Sequence, residues 1–399
     1  MSYYQSNQNN RFSNRNRNNN YGSRKKRSFG QYIDPSKFIR VAKPVKNEEY
    51  VPENNFSDFE VNVLISNNLQ KMGYVSPSPI QDKTIPVALT GKDVVGIANT
   101  GTGKTAAFLI PVINKLMNDR SSRALILAPT RELAEQIEEQ TRDIAKGSGL
   151  LGALLIGGVS MQPQLRDLRS NPQIIIGTPG RVKDHIERRT LKINDTNVVV
   201  LDEVDRMLDM GFIDDITEIL NQTSSDRQSF FFSATMEGKV KTHIDNFSNN
   251  PVNIMVKTGD TSENVHQNVV HYITKDEKLE KLHDILTSED TAKTLIFDDT
   301  HRNVEKLNDE LINRGFKSDA IHGGKSQAQR QRALKKFKDS HVKVLVATDV
   351  AARGIDVSDI THVVNFSVPQ SYDDYVHRIG RAGRAGRVGH ALTFIEKRY

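Results

Sequence analysis

The stretch that most restricts the fold is Ala98-Asn99-Thr100-Gly101-Thr102-Gly103-Lys104-Thr105. Val94-Val95-Gly96-Ile97 leads into it and Ala106-Ala107-Phe108-Leu109-Ile110 follows, so the chain reads strand, glycine turn, helix. Two glycines let the backbone wrap closely enough for its N–H groups to point at phosphate oxygens. A helix opening at Gly103 adds the positive end of its dipole. Thr100, Gly101, Thr102 and Gly103 thus form a candidate phosphate cradle. Lys104 is placed to reach the β- and γ-phosphates, and the Thr105 hydroxyl suits Mg²⁺. Ala98 stands where the pattern usually has glycine. The stretch alone does not say what a bound nucleotide would drive.

At 399 residues the chain is long enough for two cores. It has no cysteine, which excludes disulfides and thiolate metal sites and fits a reducing, cytoplasmic setting. Its eleven histidines show no ligand pair at useful spacing. No apolar run approaches the roughly 20 residues that span a bilayer, so no membrane partner is expected. The net charge of +6 is unevenly placed: residues 1–47 hold eleven Lys/Arg against the single acid Asp34, which leaves −4 for the rest.

The first 30 or so residues are rich in Asn, Arg and Ser and almost free of aliphatics, too poor in apolar surface to offset the entropy of ordering. Residues 1–47 are therefore read as a disordered, Asn/Arg-rich basic tail. Arg24-Lys25-Lys26-Arg27, with Tyr3, Tyr4, Phe12 and Tyr21 nearby, suits loose contacts to nucleic acid, and equally a purely solubilising tail or one that meets protein partners. From residue 48, aliphatic runs (124–128, 153–156, 174–176, 198–201, 230–232) alternate with helical stretches (132–145, 164–169, 181–187), the pattern of a parallel sheet covered on both faces. Residues 48–256 form one such domain, the polar stretch 257–265 reads as a linker, and 266–399 repeats the alternation (269–273, 295–297, 320–321, 342–347, 362–366, 390–395). The second half lacks a phosphate loop of its own, which suggests a site completed across a cleft.

Val198-Val199-Val200-Leu201 runs directly into Asp202-Glu203-Val204-Asp205. Ligands of open α/β sheets collect beyond the carboxyl ends of strands, so these acids should face the phosphate loop. Asp202 is placed to hold Mg²⁺, and Glu203, pointing elsewhere, to address an attacking water. With the phosphate loop, Asp-Glu-Val-Asp resembles the DEAD-box RNA helicases of helicase superfamily two. About ten separated motifs, in the family's order and spacing from about Phe56 to about Ile395, carry the resemblance.

The resemblance implies two tandem RecA-like domains, RNA-stimulated ATP hydrolysis with Mg²⁺, and local separation of RNA duplexes. Gly73-Tyr74-Val75-Ser76-Pro77-Ser78-Pro79-Ile80-Gln81 resembles the adenine-reading motif, in which Gln81 pairs with the base and Phe56, the isolated upstream aromatic, stacks on it. Asp205, Ser233-Ala234-Thr235 and His377 match positions that couple the ATP site to RNA. Residues 349–356 resemble motif five, with Asp356 on the ribose and Thr348 and Gly354 near RNA. Residues 377–384 resemble motif six, whose Arg381 and Arg384 would reach the γ-phosphate, an effect of roughly 10³–10⁵-fold in rate in related nucleotidases. Thr130, Arg131, Gly158, Thr178, Gly180 and Arg181, with Gln327 and Arg330 of the second half, match RNA-backbone contacts. None is patterned as a base reader, so little sequence preference is expected. The chain is expected to act as a monomer.

Val204, Ser78 and Ala382 replace the family's usual Ala, Thr and Thr, and Tyr399 comes just after the last strand, where members usually add a covering helix. Either the chain is trimmed there or another element covers the sheet. Three other readings share some of these residues: an ATP-gated RNA clamp, a DNA helicase and a small-molecule kinase.

Overall fold

The computed structural model describes residues 33–42, 50–99, 101–236, 238–256, 264–352, 357, 359–383 and 387–397. Thr100, Gly354, Asp356 and Arg384 lie outside the described residues, as do residues 1–32 and most of the expected linker.

Seven short strands build the first sheet: β1 (Val94–Ile97), β2 (Ala124–Leu127), β3 (Gly152–Leu155), β4 (Ile174–Gly177), β5 (Val198–Leu201), β6 (Gln228–Ser233) and β7 (Val252–Met255). They run parallel in the order β3-β4-β2-β5-β6-β1-β7. Successive side chains leave a strand on opposite faces, and both faces are covered. Val198, Val200, Phe230 and Phe232 pack into one core, Val199, Leu201 and Phe231 into the other. Edge strand β7, interrupted by the half-polar Val-Asn-Ile-Met pattern, was not legible as a strand.

The second sheet holds β8 (Val265–Tyr272), β9 (Thr294–Phe297), β10 (Ser318–Ile321), β11 (Val344–Ala347), β12 (His362–Asn365) and β13 (Gly389–Glu396). Its order is β10-β11-β9-β12-β13-β8, again parallel. Val344 and Val346 serve one core, Leu345 and Ala347 the other. The two-domain α/β architecture expected from the alternation is present.

Two expected boundaries are corrected. Val265, assigned to the linker, opens β8 and is fully buried. Residues 33–42, assigned to the disordered tail, are folded onto the second domain. A 3₁₀ turn at Pro35–Phe38, capped by Asp34, buries Phe38 against Val265, Tyr375, Ile379 and Ala391. Arg40 then pairs antiparallel with Gln267 at the free edge of β8. This segment covers part of the sheet that the sequence reading left uncovered.

Gly177, at the end of β4, packs tightly: a Cβ there would lie 2.5 Å from the Leu155 carbonyl oxygen and 2.8 Å from a Val182 methyl. Backbone cannot yield as a side chain can, so Gly177→Ala should cost about 1–3 kcal/mol. A melt followed by circular dichroism should show the first domain unfolding several degrees lower.

Candidate active site and nucleic-acid cleft

The phosphate loop takes the shape its glycines permit. Gly101 and Gly103 have φ of 81° and 93°, and the helix Lys104–Asn118 starts at once. A Cβ on Gly103 would fall 2.4 Å from Gln81 Nε2. Gln81 Nε2 donates to the Gly103 carbonyl, Ser78 Oγ donates to that of Thr102 at 2.7 Å, and Gln81 Oε1 accepts from Ser78 N–H. The adenine motif is therefore bolted to the phosphate loop. Gln81 keeps a second amide hydrogen and a second lone pair for a base. Lys104 Nζ, buried, donates to the Ala98 carbonyl at 2.9 Å, and Thr105 is half-buried beside it. Phe56 is not laid open for stacking: its ring is 7% exposed and meets Phe59 and Tyr74 edge-on. Tyr50, an exposed aromatic beside this motif, donates its hydroxyl to Asp82.

Strand β5 delivers the acids as expected. Asp202 is 3% exposed, and burial pushes its carboxyl up to about 6, with Lys104 opposing the rise. Glu203 sits at φ 54°, a left-handed conformation that side-chain-bearing residues adopt at a cost, as functional sites often do. Its buried Oε2 accepts no hydrogen bond among the described residues, and Arg206 Nε lies 3.7 Å away. Asp205 accepts from the backbone N–H groups of Ala234 (3.0 Å) and Thr235 (3.3 Å), and Ser233 Oγ accepts from Thr235 N–H. The proposed coupling residues of the first domain thus form one bonded unit.

From the second domain, the helix Tyr372–Ile379 brings up motif six. Arg206 of the first domain shares a cavity with Phe297, Asp349, His377, Arg378 and Arg381 of the second. Arg381 and His377 therefore stand across the gap from the acid-bearing strand. Arg378, not singled out in the sequence, makes a bidentate pair with Asp349 (2.6 and 2.7 Å) and donates to Asn365 and the Ser367 carbonyl. It locks motif five to motif six. The signal that could have found it is its position on the buried face of an amphipathic helix.

A cleft of about 440 Å³ is lined by Thr130, Arg131, Gly157, Thr178, Gly180, Arg181 and Arg330, among others. Two helices, Arg131–Ile144 and Pro179–Glu187, start at Thr130 and Thr178 and turn their N-termini toward it. The Arg131 guanidinium lies on Gly157–Gly158, where a Cβ on Gly158 would collide with it. Thr348 is buried just before the short helix Asp349–Ala352. Gln327 departs from expectation. It is 3% exposed and donates to Glu132 and Glu135 rather than facing the cleft. Arg330 lines the cleft and also approaches Glu132 at 2.8 Å. Gln331 donates to Glu135 at 2.7 Å. These contacts join the two domains.

Two family models match the chain, DEAD/DEAH box helicase over residues 78–244 and Helicase conserved C-terminal domain over residues 277–386. The chain belongs to the DEAD-box RNA helicases. It is 43% identical over 344 residues to the ATP-dependent RNA helicase CshA of Listeria monocytogenes, covering 86% of this chain and 66% of that protein. It is 44% identical over the same length to the DEAD-box ATP-dependent RNA helicase CshA of Bacillus subtilis, covering 86% and 70%. This helicase thus spans about two thirds of the length of those relatives. Among solved structures, Mss116p bound to ssRNA and AMP-PNP matches with TM-score 0.79 and 30% identity, covering 90% of this chain and 77% of that one. Dbp5 of S. cerevisiae bound to RNA and ADP BeF3 matches with TM-score 0.75 and 28% identity, covering 86% and 90%. These likenesses bear out two RecA-like domains.

Glu135 gives the domain contact a pH dependence. Burial pushes its carboxyl up to about 7 from an ordinary 4.5; nearby Glu132 adds to the rise, while Gln327, Gln331 and Arg330 oppose it. Glu135 lies against Gln327 and Gln331 of the second domain, and because burial outweighs the opposing groups, closing this contact around it takes up a proton. The gain is fullest below about 4.5 and is lost as pH rises through about 7. RNA affinity with a non-hydrolysable ATP analogue should weaken by up to about tenfold per pH unit across that window. In Glu135→Gln, equilibrium titrations should show the dependence flattened.

Proposed function

We propose that the helicase binds ATP and RNA between its two domains, hydrolyses ATP only when they meet, and sheds the partner of a locally bent RNA strand. The observation that carries this is the cavity shared by Arg206, beside Glu203, and by His377 and Arg381 of the opposite domain. Neither half holds both the phosphate loop and the arginines.

In this reading Gln81 reads adenine, Lys104 and the loop N–H groups of residues 101–103 hold the phosphates, and Arg381, with Arg384, offsets the negative charge that grows on the γ-phosphate. Glu203 positions and deprotonates the attacking water through its carboxylate, whose Oε2 accepts no hydrogen bond among the described residues. The Thr105 hydroxyl and the Asp202 carboxylate are hard oxygen donors at one end of the sheet, a set that fits Mg²⁺. Bound there, Mg²⁺ would neutralise phosphate charge. Asp205 ties this chemistry to residues 233–235, so a shift on one side is felt on the other. Thr130, Thr178, Gly180 and Arg181 grip the RNA backbone, which leaves little sequence preference. Asp356, Gly354 and Thr348 complete the ribose and RNA contacts as the family resemblance implies. Val204, buried at the start of its helix, leaves all three carboxylates in place.

The setting is cytoplasmic, and the working unit is one chain. No helix of the described residues is long and apolar enough to cross a membrane.

Displacement of a short RNA duplex, with and without ATP, tests the reading; a clamp would bind without displacing. Glu203→Gln should retain ATP and RNA binding while losing at least about 100-fold in kcat. Arg381→Ala should lose about 10³-fold in RNA-stimulated turnover, measured by phosphate release. Removing residues 1–32 tests the tail. If it touches RNA, affinity falls and the salt dependence of log K flattens by roughly 0.7 per lost phosphate contact.

A further inference from the structure

The segment 33–42 precedes the first domain in the chain, yet it is built onto the second. Its alternation is that of an added edge strand: Phe38 and Ala42 point in, while Ile39 (58% exposed) and Val41 (71%) point out. Phe38 is fully buried, its ring 4.7 Å from that of Tyr375. Lys37 Nζ lies 5.6 Å from the centre of the Tyr372 ring. Arg40 and Gln267 exchange both backbone hydrogen bonds (3.0 and 2.8 Å), and Ala42 N–H donates to His266 Nδ1 at 3.2 Å.

A few residues later the chain is fastened just as firmly to the first domain. Asp82, 2% exposed and next to Gln81, accepts from Tyr50 Oη, Glu53 N–H, and the backbone and side-chain amides of Asn54. Eight peptide steps separate Ala42 from Tyr50, so the two anchors can stand at most about 29 Å apart. The other covalent connection between the domains runs through residues 257–263.

We infer that residues 33–42 are a strap that holds the second domain near the first, with Phe38 its positioning residue. With the strap docked, two chain connections rather than one keep the second domain within reach of the first. Bringing Arg381 to the phosphate loop then resembles an intramolecular encounter at raised effective concentration. Residues 33–42 are not among the residues lining the cavity of Arg206 and Arg381 or the cleft of Thr130 and Arg330, so the strap should lower the RNA concentration needed for closure and leave the closed site's chemistry unchanged. The inference rests on the two-domain ATPase reading and adds to it a device that this chain's own front segment supplies.

The test separates tethering from simple support of the second domain. A protease site inserted between residues 43 and 49 allows the full-length protein to be cut after folding, with Phe38 still in its notch. Cutting should raise the RNA concentration for half-maximal ATPase about 3- to 10-fold, with kcat at saturating RNA within twofold and the second domain's melting temperature unchanged. Phe38→Ala should give the same rise in half-saturation with a lower melting temperature, and Phe38→Leu should restore most of both. Because the chain has no cysteine, a Cys pair at the exposed positions Lys71 and Asn313 can report interdomain distance by fluorescence transfer. Without RNA, the cut protein should spend more time at long distance. If cut and uncut proteins share one half-saturation and one distance distribution, the strap is not a tether and the inference falls. Absence of any RNA stimulation in the uncut parent would instead overturn the ATPase reading.

Discussion

Where the domains touch, Glu132 and Glu135 of one face Arg330, Gln327 and Gln331 of the other. Buried carboxylates are tolerable only when paired and hydrogen-bonded, and here the partners arrive from a different domain. The contact is therefore formed only by assembly of the two halves, and it is poorly made by anything less than the correct approach. The proposed closure depends on it: the cleft proposed for RNA and the cavity holding Arg381 and Arg206 are both lined by residues of the two domains.

Each domain is rigid where chemistry needs rigidity. The loop that would hold phosphates is pinned by Ser78 and Gln81, so recognition of the base and of the phosphates shares one scaffold. Asp205 pins residues 233–235, and Arg378 pins Asp349. These bonds lie within single domains and do not depend on contact between them. The described polar contacts between the domains are few, which suits an equilibrium that ligands can shift.

Much of this was readable along the chain. Continuous aliphatic strands such as Val198–Leu201 bury both faces, and that property shows in four letters. The phosphate loop needs glycine at residues 101 and 103 for their positive φ, so residue type betrays shape. Phe56 and Gln327 sit deeper than their sequence context suggests, and Phe38 lies within the stretch read as tail, for one shared reason. Each has a side chain whose role depends on a neighbour distant in sequence: Tyr74 for Phe56, Glu132 for Gln327, Tyr375 for Phe38. Residues 33–42 looked like tail because five alternating residues carry too little pattern to stand out from the polar stretch before them. Their stability comes from a notch built of residues 265, 375, 379 and 391.

By itself the sequence determined the α/β class, the two domains, the nucleotide loop and the family, because those follow from local periodicity and from residue types at fixed spacing. Only the tertiary structure decided which polar side chains meet across the domains, that Phe56 packs inward, and that the front of the chain clasps the second domain. Contacts of that kind are set by distances between residues tens to hundreds of positions apart, and local pattern holds no record of those distances.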